Sequence, residues 1–339
     1  MMFPHRTFWR ISLVTIAAAL GFASAQAIAQ QAGQDSEKKD ISFEQETIFA
    51  PGVVTVIPPA PNPDETFDGP QTLQSLIDTH PEIKWSGETH PDGAPHYDPR
   101  SRTLLEMAKQ VILRREIYCF EVSFKPLRQI YIDVPRPDGR MQRKLVWYMV
   151  YRIRYRGGDL RPAADTVAGV PLYRRVEGIR YDSRRIFPML ILSDHVSGKR
   201  YVDTILPTAA EKIRVREQIT ADVYNSVEIS KIKVPYSNDP DAPGVWGVAT
   251  WTDVDPNLDF VSVEFFGLTN AFQQDGEGPE APSRRKMLQL NFYRPGDTMK
   301  QTDDLIRFGV PAFEDKAQQN YILQQYGLDE RLDYQWLFR

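Results

Sequence analysis

From Leu145 to Arg156 the chain runs at a period of two. Trp147, Met149, Tyr151, Ile153 and Tyr155 fall on one set of positions, and Arg152, Arg154 and Arg156 on the other. Successive side chains of a strand point to opposite faces, so this pattern is a strand whose aromatic row covers a core while its arginines meet water. Such a row has to be buried against a second layer. That requirement constrains the fold more than any other feature of the sequence.

Other runs suit strands as well. Tyr118, Phe120, Val122 and Phe124 alternate with Ile117, Cys119, Glu121 and Ser123, and Ile130 to Val134 follows. Pro135-Arg136-Pro137-Asp138-Gly139-Arg140 is turn chemistry. Further strands are expected over Phe187–Leu192, Lys199–Leu206, Val245–Thr252, Asp259–Leu268 and Lys286–Tyr293. Many short strands with turns between them, and no long helix after each strand, predict a mainly β fold. The expected form is an Ig-like antiparallel β-sandwich over 116–310, with a barrel as the other geometry.

Helices are expected at the margins. Leu73, Leu76 and Ile77 suggest a short one over Gln71–Asp78, and Ser101 caps another over Arg102–Arg114, so 67–115 reads as a helical approach region. Thr208–Asn225 reads as helix with sparse apolar positions, and Val227–Val234 suits helix end or strand. In 311–339 a helix over Glu314–Tyr326 closes at Gly327, and Tyr334, Trp336 and Phe338 alternate as a last strand or docking tail.

At the other end, Arg6 and Arg10 precede an apolar stretch from Ile11 to Ala25, and Ala27-Ile28-Ala29 offers a small-x-small cleavage site. This is the layout of an export signal over 1–29, with a retained anchor as its alternative, so membrane contact is expected only through the leader before cleavage. Localisation follows: exported, whether periplasmic, at the cell surface or secreted. Residues 30–66, polar and then proline-rich, read as a disordered linker, although Phe49–Ile57 suits an edge strand. The leader carries two of the 41 basic residues and none of the 45 acidic ones, so the exported part is slightly more acidic than the formal −4 of the whole. Nucleic acid is therefore not an expected partner. The single cysteine, Cys119, allows no internal disulfide and reads as a buried, inert thiol.

Residue patterns that carry chemistry are few. Asp253, Asp255, Asn257, Asp259 and Glu264 place oxygen ligands at positions 1, 3, 5, 7 and 12 of a calcium loop. Leu258 stands where that loop needs glycine, Pro256 stiffens it, and the competing reading is a turn capped by aspartates. His80, His90 and His96 share a proline-rich segment with several acids, at spacings that fix no metal geometry. Ser193-Asp194-His195 has the residue types of a hydrolase triad, but adjacent side chains cannot converge on one reacting atom. Arg152, Arg154 and Arg156 form a stripe able to meet an anionic partner, unless acids on a neighbouring strand neutralise it.

The blocks Trp246–Trp251, Gly267–Ala271 and Leu290–Asp297 resemble those of an uncharacterised family of exported bacterial proteins, over roughly 100–310. That resemblance implies no activity and no site residues. Trp246 and Trp251 fall on opposite faces of one strand. The expectation is an exported, non-catalytic interaction or structural module of the cell envelope, binding a protein or an envelope polymer without a cofactor. An extracellular hydrolase of a glycan or ester, and a calcium-stabilised structural module, are the alternatives.

Overall fold

The computed structural model describes residues 55–72, 112–167, 170–274, 282–295 and 306–339. The leader, most of the linker, the bulk of both expected N-terminal helices and the three histidines at 80, 90 and 96 lie outside the described residues. What is described is mainly β, in several antiparallel sheets.

The first sheet runs β1 (Thr55–Ile57), β4 (Glu121–Phe124), β6 (Met141–Arg154), β14 (Val245–Thr252) and β12 (Val223–Tyr224). Only the β12–β14 pair is parallel. β6 is long enough to serve several partners: β5 (Arg128–Pro135) returns along its first half through the expected turn, and β4 takes its second half. β14 pairs the opposite edge from Val146 to Ile153.

The second sheet runs β11 (Arg200–Val202), β10 (Met189–Asp194), β15 (Phe260–Phe266) and β17 (Ser283–Tyr293). Three short strands also pair with β17: β16 (Phe272–Gln274), β18 (Arg307–Phe308) and β19 (Tyr334–Phe338). Two-stranded pieces complete the set: β2 (Phe67–Thr72) with β3 (Ile112–Arg114), β7 (Asp159–Val167) with β8 (Val170–Ile179), and β9 (Ser183–Arg184) with β13 (Val234–Pro235).

One apolar core lies between the two large sheets. Trp147, Met149, Tyr151, Ile153 and Tyr155 are all fully buried there, as the alternation of β6 requires. Leu190, Leu192, Val261, Val263, Phe265, Leu288, Leu290 and Phe292 answer from the second sheet. Rings meet edge to face across the gap, Tyr151 with Phe265 at 4.9 Å and Phe124 with Phe292 at 5.9 Å between centroids. That is the arrangement the charge distribution of aromatic rings favours.

The other face of β6 departs from expectation. Val146, Tyr148 and Val150 do not meet water; they pack with Ile132, Val248 and Val223 beneath α1 (Ala209–Arg216), which contributes Ala209 and Ile213. Trp251 goes to the inter-sheet core and Trp246 packs against this second cluster, so the two tryptophans do serve opposite faces. Glu217, just past α1, is buried and ties the layer down: Tyr148 donates to its carboxylate at 2.6 Å and Lys125 at 3.0 Å.

Several elements differ from the sequence reading in extent. The helix expected to span Thr208–Asn225 stops at Arg216, and Gln218 turns into a positive φ of 54°. A separate short helix, α2 (Ser226–Ile229), starts at Asn225, whose side chain and Glu228 form a reciprocal cap. Gln71 and Thr72 lie in β2 and Ile112–Arg114 in β3, where helices were expected. The β7–β8 hairpin is absent from the sequence reading because Pro162, two alanines and Pro171 break the strand signal. α3 (Lys316–Tyr326) and the left-handed Gly327 after it match expectation. β1 and β19 draw both large sheets beyond 116–310, giving the open edges of β4 and β17 hydrogen-bond partners.

Gly247 sits directly opposite Tyr151 on β14, and the tyrosine ring lies over it. A Cβ there would come within 2.4 Å of the Tyr151 ring. Gly247→Ala is therefore expected to destabilise the protein by about 1–3 kcal/mol, the usual range for overpacking a core. A denaturant titration checks this, and an unchanged midpoint would mean the ring can move aside. Cys119 is buried, and burial pushes its thiol up to about 11. Ellman's reagent should leave the folded protein untouched and label it once denatured.

Candidate functional site

The expected calcium ligands take separate partners. The segment from Asp253 to Asp259 connects β14 of the first sheet to β15 of the second. Asp253 adopts a positive φ of 58° and binds Lys144 at 2.9 Å, and Asp255 accepts the Asn257 N–H at 2.9 Å in an aspartate-capped turn. Asp259 lies 3.8 Å from Arg294. Glu264 is fully buried on β15 and bonded to Ser193 at 2.9 Å. Among the described residues, no three His, Cys, Asp or Glu side chains gather to hold a metal ion.

The arginine stripe is tied into the fold. Arg154, on β6, is buried against Glu121 of the neighbouring β4 at 2.5 Å, and Arg156 reaches the same carboxylate at 3.1 Å. Arg154 also donates to the Pro240 carbonyl, and Arg156 to those of Ser237 and Asp239. Arg152 stacks 5.4 Å over Trp246. Glu121 of the adjacent strand thus offsets one of the three positive charges, and it pairs with Arg154 and Arg156.

Ser193, Asp194 and His195 also part company. Ser193 donates to Glu264, Asp194 caps the following turn through the N–H groups of Val196 and Ser197, and His195 turns to Ser262.

What brings polar groups together is the outer face of the second sheet. Register places Ser193, Ser262 and Asn291 in one row across β10, β15 and β17, and Ile191, Glu264, Gln289 and Gln335 in the next. Ser193, Ser262, Glu264, Gln289 and Asn291 are all buried. Arg200 and Arg339 cover Glu264, and each is bonded to its carboxylate. Buried polar groups are tolerated when they bond one another, and here they form a chain. Ser262 Oγ donates to Asn291 Oδ1 at 2.8 Å, Gln289 Nε2 donates to the same oxygen at 3.0 Å, and Asn291 Nδ2 donates to the Leu332 carbonyl at 2.7 Å. With its proton given to Asn291, Ser262 Oγ accepts from His195 Nε2 at 3.0 Å.

Beside this network, between β17, β19 and the segment after α3, lies a cleft of about 570 Å³. His195, Gln289, Leu332, Gln335, Leu337 and Arg339 contribute to its walls. Gln289 Oε1 is buried and has no hydrogen-bond partner among the described residues. α3 positions the segment: Tyr326, at its last turn, packs edge-on to Phe260 and donates to the Phe292 carbonyl at 2.7 Å. Gly327 then reverses the chain. Sequence patterning did not point to this site, although polar residues alternate with apolar ones along Gln289-Leu290-Asn291-Phe292 and Ser262-Val263-Glu264-Phe265.

A second cleft, of about 430 Å³, is lined by Tyr118, Phe187, Met189, Phe272, Asn270 and Arg285 among others. No protein-family model matches the chain, and neither the curated proteins nor the solved structures yield a match.

Burial holds the His195 imidazole below its ordinary value, with Arg339 adding to the effect and Glu264 and Asp194 opposing it. The unfolded chain therefore takes up this proton before the folded one as pH falls through about 6.5, so stability drops below that pH until the lowered folded value is passed. His195→Gln keeps a donor towards Ser262 but cannot titrate. Its melting temperature should fall less than the parent's between pH 7 and pH 5, and equal falls would remove His195 from the account.

Proposed function

We propose that the chain is an exported, non-catalytic interaction module of the cell envelope, with the two large sheets arranged as an Ig-like β-sandwich, binding a protein or an envelope polymer. The observation that carries this reading is that, among the described residues, four of the five buried acids are paired with cations, while the fifth, Asp194, accepts from main-chain N–H groups. Glu121 is held by Arg154 and Arg156, Glu217 by Lys125 and Arg128, and Glu264 by Arg200 and Arg339. Asp159 is held by Arg184 and Tyr155. A general acid or base has to exchange protons with a substrate at operating pH, and carboxylates locked to cations inside the fold are poorly placed for that. The two clefts mix amides and apolar side chains with a few charged groups, a lining that suits recognition.

Export rests on the basic, apolar and small-residue layout of 1–29. A sandwich scaffold is favoured by two antiparallel sheets facing one core, with the connection between β14 and β15 passing from one to the other. No helix among the described residues is long and apolar enough to cross a membrane.

The test is retention and turnover measured together. The purified protein, produced from Gln30 onward, is expected to be retained saturably by one of three immobilised samples: peptidoglycan sacculi, lipopolysaccharide, or detergent-extracted envelope protein. It should leave chromogenic esters and glycosides intact. Failure to be retained by any sample, or turnover of a substrate that survives repurification, would overturn the proposal.

A further inference from the structure

We infer that the cleft between β17, β19 and the segment following α3 is a binding site for a neutral, hydroxyl-rich ligand, a saccharide unit of an envelope polymer. This rests on the reading of the chain as an envelope-binding module and narrows its partner to a glycan.

The hydrogen-bond directions leave little freedom. Asn291 has to aim its Nδ2 at the Leu332 carbonyl, so its Oδ1 faces Ser262 and Gln289. Gln289 must then present Nε2 to that oxygen, which turns Oε1 away from the network. Gln289 lines the cleft at 1% exposure, and its Oε1 has no donor. A buried amide oxygen left without a donor costs about 1–3 kcal/mol, so the site calls for a group that brings one. His195 adds a second acceptor. Its Nε2 donates to Ser262, and burial favours the neutral ring, so Nδ1 carries a lone pair. An amide oxygen without a donor and a neutral imidazole, both on residues that line the cleft, ask for a ligand carrying O–H or N–H groups.

Charge and shape narrow the class. Arg339 stands at one side of the cleft with its guanidinium bonded to Glu264, and Asp329 and Glu330 stand exposed at another. With two acids exposed and the one arginine already paired, an anionic ligand is disfavoured. Leu328, Leu332 and Leu337 supply apolar wall. A sugar ring has C–H faces for such walls and hydroxyls at its edge for the acceptors. At about 570 Å³ the cleft falls within the range of small-molecule sites, about 300–1,000 Å³, and has room for a short saccharide.

The test uses soluble trisaccharides of glucose, galactose and N-acetylglucosamine as probes, titrated into the purified protein by calorimetry and by chemical-shift perturbation. Saturable binding of at least one is expected. Gln289→Met removes the acceptor at similar length and should weaken that binding about tenfold or more, the scale of leaving a ligand donor unpaired. Because Gln289 is buried, Gln335→Trp serves as the second variant: it fills the cleft from the position directly opposite Gln289 and removes none of the hydrogen-bonding groups of the Asn291 network. It should abolish binding while leaving the melting temperature near that of the parent. Retention by sacculi, lipopolysaccharide and envelope protein is measured on the same three proteins. If no trisaccharide binds while all three proteins are retained equally by one sample, the cleft assignment falls and the module reading stands. If retention is to envelope protein and peptides compete where saccharides do not, the assignment also falls. If nothing is bound by any protein, both readings fall.

Discussion

The fold depends on β6 being buried on both faces. One strand of fourteen residues carries β5 and β4 along one edge and β14 along the other, so most of the first sheet is hydrogen-bonded through it. Its aromatic row faces the second sheet, and Val146, Tyr148 and Val150 face α1. β6 therefore has the second sheet on one side and α1 on the other. The price of that position is paid at the far end of β6, where Arg154 reaches a buried environment and needs Glu121. Removing one partner of such a pair leaves an uncompensated charge, which is far costlier than never having buried the pair.

The second sheet solves the opposite problem. Its inner face is apolar from Leu190 and Leu192 through Val261, Val263 and Phe265 to Leu288, Leu290 and Phe292, while its outer face carries serines, an asparagine, glutamines and a glutamate that the C-terminal segment covers. Covering polar groups gains little unless each finds a partner, and the Ser262–Asn291–Gln289 network meets nearly all of that demand. The same network orients Gln289, a residue that borders the cleft, and leaves its Oε1 without a donor among the described residues.

Particular residues mark where sequence reasoning reached and where it stopped. The alternation of β6, the strands over 245–252 and 286–293, and the helix ending at Gly327 were legible because each rests on local periodicity or a local cap. Val146, Tyr148 and Val150 carried a signal for the covered second face that the neighbouring arginines obscured. The calcium-like spacing of Asp253 to Glu264 was legible as a pattern, yet the chain passes from one sheet to the other within it. Glu264 thereby lands on the outer face of β15, away from the turn at Asp255.

The sequence by itself determined that the chain is mainly β, that an aromatic row must be buried, and that no internal disulfide holds the layers together, because period two and a single cysteine are properties of the chain alone. Only tertiary structure decided which acid meets which arginine, and which polar face is covered and where an acceptor is left over. Those outcomes depend on register between strands as distant as β10, β17 and β19, and no local pattern encodes the registry of residues so far apart in the chain.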